Sequence, residues 1–161
     1  MASLTIGYYG SITYPGSVSM SQVVLMLEDN ADRLTRFSRV LREAWPQLTL
    51  HHWRDAAEMI RECPPYLSDC VLICLDHDLD PIPTPDCFSR DAGDGLQVAK
   101  FLAAAKPTCP ILIHSSNGDG ARRMLGEFEL ACCQACTILP LGEDWIEIYW
   151  RRNVTSLLTG T

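Results

Sequence analysis

The sequence predicts an α/β fold: five parallel strands in the order 2-1-3-4-5, with helices on both faces of the sheet. Three observations predict it. From Ser21 onward, short apolar runs alternate with segments of helical period, and no internal repeat interrupts them. The clearest runs are apolar at every position, as strands buried on both faces are. Most of the runs close on polar or acidic residues, and in such sheets those positions gather along one edge.

The first strand is Val23-Val24-Leu25-Met26-Leu27, which ends on Glu28-Asp29. A helix follows, with Leu34, Phe37, Val40, Leu41, Ala44 and Trp45 at helical spacing until Pro46 stops it. Leu48 to Trp53 reads as the second strand, and Asp55 to Glu62 as a short helix broken by Pro64-Pro65. The third strand, Val71 to Leu75, ends on Asp76-His77-Asp78. From Leu79 to Ala92 the chain reads as a long loop carrying Pro81, Pro83 and Pro85, and a loop of that length in a compact domain is usually functional.

Gly93-Asp94-Gly95 opens the next helix, with Leu96, Ala99, Leu102 and Ala105 on one face. Pro110 precedes the fourth strand, Ile111 to Ile113, which ends on His114-Ser115-Ser116-Asn117. Gly118 and Gly120 introduce a helix through Met124, Leu125 and Phe128. Thr137 to Leu139 reads as the fifth strand, and Trp145, Ile148 and Tyr149 mark the last helix. Residues 1–19 are rich in Gly, Ser, Thr and Tyr and lack an apolar period, so they read as a dispensable extension to a domain over 20–161.

Composition narrows the function. With 161 residues and 47% hydrophobic content the chain suits one packed domain. A net charge of −7 argues against binding extended duplex nucleic acid, which needs a basic surface. No apolar run approaches the ~20 residues that span a bilayer, so no membrane segment is expected. Several of the eight cysteines fall inside apolar runs, and no cleavable signal precedes them; reduced thiols and a cytoplasmic location are expected. Cys132, Cys133 and Cys136 contain a C-x-x-C with no second pair, which argues against a zinc site there. The sequence sets no oligomeric state.

The chemistry lies at the strand ends. Strands one, three and four are neighbours in this order, and they bring Glu28 and Asp29, then Asp76, His77 and Asp78, then His114, Ser115 and Asn117 to one crevice. Taken alone, Glu28 or Asp29 reads as a cap of the following helix. Four carboxylates together repel unless a cation sits among them, and hard oxygen ligands suit Mg²⁺ or Mn²⁺, with Ca²⁺ also compatible. Strand alternation places Asp76 and Asp78 on one face and His77 on the other. His114 suits acid or base work, since an unperturbed imidazole titrates near pH ~6.5. His51 and His52 read as structural, and Gly93-Asp94-Gly95 lacks the third glycine of a dinucleotide fingerprint.

The acidic pair Glu28-Asp29, Asp76 after the third strand and Asp94-Gly95-Leu96 resemble a response-regulator receiver domain of flavodoxin order, in which Asp76 would be the phosphoacceptor. Receivers carry a lysine on strand five before a proline; here Leu139 precedes Pro140, and the loop after Asp76 is longer. Leu75-Asp76-His77-Asp78-Leu79, His114-Ser115-Ser116-Asn117, Gly120-Ala121, Met124 and Gly142-Glu143-Asp144-Trp145 resemble the cyclic-phosphate processing branch of that superfamily.

The resemblance implies a metal-dependent phosphohydrolase or phosphodiesterase acting on a cyclic phosphate, carried by a phosphorylated small molecule or a nucleic-acid end. Asp76 and Asp78 with Glu28 or Asp29 would hold the cation, and His114 would protonate the leaving ribose oxygen. His77, Ser115, Asn117 and Arg122 would contact the phosphate, with the proline-bearing loop closing over it. The alternative is a non-enzymatic receiver-like module that binds a ligand and signals.

Overall fold

The computed structural model describes residues 22–160; residues 1–19, read as an extension, lie outside the described residues. The order of elements is β1 (Val23–Leu27), α1 (Ala31–Ala44), β2 (Thr49–Trp53), α2 (Ala56–Glu62), a 3-10 turn (Pro64–Tyr66), β3 (Cys70–Leu75), β4 (Ile82–Pro83), β5 (Ser89–Arg90), α3 (Gly95–Ala105), β6 (Ile111–His114), α4 (Gly118–Leu130) and β7 (Ala135–Ile138). A π-helical turn (Ile146–Trp150) then runs into α5 (Arg151–Thr159). Five strands form one parallel sheet in the order β2-β1-β3-β6-β7, which is the order expected from the sequence.

The period of two along each strand divides the core. Leu25, Leu27, Ile73, Leu75, Ile111 and Ile113 face α2, α3 and α4, where Met59, Val98, Leu102, Met124 and Phe128 meet them. Val24, Met26, Leu72, Cys74 and Leu112 face the other way, onto Phe37, Val40 and Leu41 of α1 and Trp145, Ile146, Trp150 and Val154 near the C-terminus. Phe37, Val40 and Leu41 stand at the i, i+3, i+4 spacing that makes one helical stripe. Since a fully buried side chain of this size contributes about 1.5–3 kcal/mol, both layers are needed to hold the sheet.

Four helices start at the edge where the strands end, and each is capped by a short polar side chain. Asn30, Asp55, Asp94 and Asn117 accept from the backbone N–H groups of Arg33, Glu58, Gln97 and Gly120. Because Asn30 caps α1, Glu28 and Asp29 are released from that duty.

The structure departs from the sequence-based expectation in three places. The segment expected as a bare loop from Leu79 to Ala92 contains a short antiparallel hairpin, Ile82–Pro83 with Ser89–Arg90. Arg90 anchors it by pairing with the buried Asp55 carboxylate. The last strand begins two residues and ends one residue earlier than expected, so Leu139 falls just beyond β7 and is half exposed. In the C-terminal segment Ile148 and Tyr149 face outward, and Trp145, Ile146, Trp150 and Val154 supply the packing. No described helix is long and apolar enough to cross a membrane.

Candidate functional site

Glu28 and Asp29 follow β1, Asp76 follows the adjacent β3, and all three side chains are buried. One carboxylate oxygen from each lies within 4.8 Å of the others, and this is the group of three candidate metal ligands among the described residues. Every carboxylate is tethered to a backbone N–H. Glu28 Oε1 accepts from Asn30 at 2.8 Å, Asp76 Oδ1 from His77 at 2.6 Å, and Asp29 Oδ2 from Asp80. Such tethers fix the direction of the remaining oxygens, as a hard-cation site requires.

A cation of the chain itself stands among them. Arg33, in the first turn of α1, places Nη2 2.9 Å from Glu28 Oε1, 2.8 Å from Asp76 Oδ2 and 3.5 Å from Asp29 Oδ1. Strand-end motifs do not single out Arg33. The signal available in the sequence is its position four residues after Asp29, where a helix brings the side chain back over its own N-terminus.

The two central acids titrate in opposite directions. Burial pushes Asp76 up, and His114 and Arg33 only partly offset it. Burial also pushes Glu28 up, but the hydrogen bond and charge of His114, with Arg33 and the Asn30 N–H, outweigh it and hold Glu28 below the usual carboxylate range. Two neighbouring carboxylates driven apart in this way are common at functional sites.

His114 occupies a different place from the one expected. It is fully buried beneath Glu28, with Nε2 3.2 Å from Glu28 Oε2 and its ring edge-on to Phe37 at 5.1 Å between centroids. Nδ1 has no partner, and Nε2 donates to the Glu28 carboxylate. In this structure the buried His114 ring is directed at Glu28 rather than at the open rim of the crevice.

Asp78 also departs from expectation. The chain leaves extended geometry after Leu75, so alternation does not carry Asp78 to the side of Asp76. Its side chain is 62% exposed and bonds His77 Nδ1 at 2.7 Å and Asn117 Nδ2 at 3.0 Å, outside the group formed by Glu28, Asp29 and Asp76. What burial it has pushes Asp78 up, but the hydrogen bonds of Asn117 and His77 outweigh this and hold it below its ordinary value.

Two glycines fix the turn that carries Asp76 and His77. A methyl group on Gly95 would lie 2.1 Å from the Asp76 carbonyl oxygen, and one on Gly120 would lie 2.5 Å from the His77 ring. Gly95 N–H donates to the His77 carbonyl at 2.9 Å, which draws α3 against the strand end. Ser115 is buried and accepts from the Asn117 N–H at 3.2 Å, and Arg122 is exposed and paired with Asp119. Neither shares a hydrogen bond or ion pair with the three buried acids.

Under the β4–β5 hairpin lies a recess of about 350 Å³ lined by His52, Trp53, Arg54, Glu58, Ile82, Pro83 and Arg90. The Trp53 backbone carbonyl accepts from the Glu28 N–H at 3.0 Å, which ties the end of β2 to the start of the acidic segment. Burial and the Arg54 charge hold His52 below its ordinary value.

The cyclic-phosphate processing receiver domain matches residues 23–129. No curated protein matches the chain. Among solved structures, the phosphorylated cyanobacterial phytochrome response regulator RcpA superposes with a TM-score of 0.63 at 15% identity, covering 87% of this chain and 96% of that one. The isolated receiver domain of RcsB from Salmonella enterica gives 0.60 at 16%, covering 88% and 91%. Against a longer RcsB chain from Salmonella typhimurium, at 15% identity and a TM-score of 0.60, 88% of this chain covers 61% of that one. At these identities the likeness shows the receiver fold.

Proposed function

This chain belongs to the cyclic-phosphate processing receiver family, and from that premise we propose that it hydrolyses a cyclic phosphodiester with a divalent cation held by Glu28, Asp29 and Asp76. One observation carries the reading: three buried carboxylates from adjacent strand ends converge on a point where a positive group already stands. Mg²⁺ or Mn²⁺, or Ca²⁺, suits such oxygen donors and would polarise the phosphate and make water more acidic.

The chain's own groups divide the remaining work. His114 donates to Glu28 and fixes its direction. Asp78, ionised and open at the rim, is placed to take the proton of an attacking water, with His77 and Asn117 holding its carboxylate. His77 thus supports a neighbouring carboxylate in this reading, and Ser115 supports the turn that presents Asn117. The recess under the hairpin receives the part of the substrate that does not react, with Arg54 and Arg90 beside it to offset the acidic surroundings. The ligand is a phosphorylated small molecule or a nucleic-acid end.

A cyclic mononucleotide, an RNA 2′,3′-cyclic end and ADP-ribose cyclic phosphate, each offered with Mg²⁺, Mn²⁺ or Ca²⁺, test the proposal. Metal-dependent ring opening that Asp76→Asn abolishes is the expected result. Metal binding without turnover of any of the three would replace the enzyme by a ligand-binding module.

A further inference from the structure

We propose that Arg33 is a movable counter-ion: it fills the cation position among Glu28, Asp29 and Asp76 until a divalent ion displaces it, and then clamps the anionic ligand beside that ion. The inference rests on the reading that these three acids hold a metal.

The geometry points to exchange and not to a permanent ion pair. One nitrogen, Nη2, serves all three carboxylates, yet it has two hydrogens to give. The Asp29 contact is correspondingly long at 3.5 Å. One guanidinium carries a single positive charge against three carboxylates, and so leaves them under-compensated. A divalent ion supplies twice the charge from the same position, and two cations cannot share it.

Arg33 has both a route out and a use when it leaves. Its side chain is 26% exposed, against 0% for Glu28, 6% for Asp29 and 4% for Asp76. It can therefore swing to solvent about its stem without disturbing the acids. In the parked position Nε is buried with no partner, an N–H group left unused. A phosphoryl group at the rim would accept from Nε and a terminal nitrogen together, the paired geometry that guanidinium offers and ammonium does not.

Calorimetric titration of the parent and Arg33→Met with MgCl₂ and MnCl₂ tests the exchange. The variant should bind metal about tenfold more tightly or better, because no resident cation has to be expelled. Equal or weaker binding overturns the exchange and leaves the metal centre standing, whereas no binding by either protein overturns the centre and the exchange together. With Mg²⁺ saturating, inorganic phosphate should bind the variant several-fold more weakly than the parent; equal phosphate affinity overturns the clamp. Should the variant fail to fold, the Arg33 Nε–H resonance of the parent decides the exchange. It should move on addition of Mg²⁺, and a resonance unchanged at saturation overturns the proposal.

Discussion

His114 Nε2 and Glu28 Oε2 face each other at 3.2 Å with both side chains wholly buried. Replacing His114 by Phe keeps a ring against Phe37 and Trp145 but removes the donor. Glu28 then keeps Arg33 and the Asn30 N–H, so the expected loss is about 1–3 kcal/mol, the cost of one unmet buried partner. Urea denaturation at neutral pH measures it. Since His114 helps to hold Glu28 below its ordinary value, this stabilisation is present above about pH 4.5 and is lost as the pH falls through the folded-state value. The gap between parent and variant should therefore narrow in acid. A variant as stable as the parent would mean that the pair contributes nothing to folding.

The glycine pair beneath the site offers a graded test. A Cβ at Gly95 meets the Asp76 backbone at 2.1 Å, where nothing flexible can yield. Gly95→Ala should cost at least the ~1–3 kcal/mol of an overpacked core, or fail to fold. At Gly120 the obstacle is the His77 side chain, so Gly120→Ala should fold but displace the ring from Asp78. Gly118 is the control, because a methyl group there would meet nothing within 4 Å, and Gly118→Ala should leave the melting temperature unchanged or slightly raised. Thermal unfolding of the three variants distinguishes steric need from general intolerance of the helix starts.

Glu147 ties the π-helical turn to α1 through Arg36 and Arg39. The hydrogen bond from Arg36 is the main reason its carboxyl is pulled down to about 2. A depressed carboxylate stabilises the fold above its unfolded value and loses that contribution as the pH falls through the folded one. Glu147→Gln should thus lower stability at pH 7 by about 0.5–1 kcal/mol, allowing for screening of partly exposed charges. The difference should shrink between pH 4.5 and about 2. Melting curves across that range check it, and a pH-independent difference would assign the effect to packing.

The strands and their order are legible in the sequence because a continuous run such as Val23 to Leu27 has one stable use, burial on both faces of a parallel sheet. Glu28, Asp29 and Asp76 are legible for the same reason, since adjacent strand ends must converge. Asp78 and His114 show the limit. Alternation holds only while the backbone stays extended, and β3 ends before Asp78. His114 lies at the end of a strand whose inward face continues under the acids, so a polar residue that the pattern aims at the crevice supports it from below. Arg33 escapes the pattern because its role depends on a helix returning a side chain over the preceding strand end, a relation that no strand-end motif records.

Asp76 is not expected to hold a stable phosphoryl group. A receiver stabilises its aspartyl phosphate with a lysine on strand five, and here the corresponding position is Leu139, half exposed just past β7. Arg33 touches Asp76 directly, but it also serves Glu28 and Asp29, so its charge is already shared among three anions. A phosphoryl group on Asp76 would add further negative charge to a buried acidic pair without a dedicated cation. Incubation with phosphoramidate and Mg²⁺ should give no adduct that persists to intact-mass measurement. Introducing the missing charge by Leu139→Lys provides the contrast: if β7 is the decisive difference, that variant should accumulate the adduct. A stable adduct on the parent at Asp76 would show instead that Arg33 alone suffices, and would return the chain to phosphorelay chemistry.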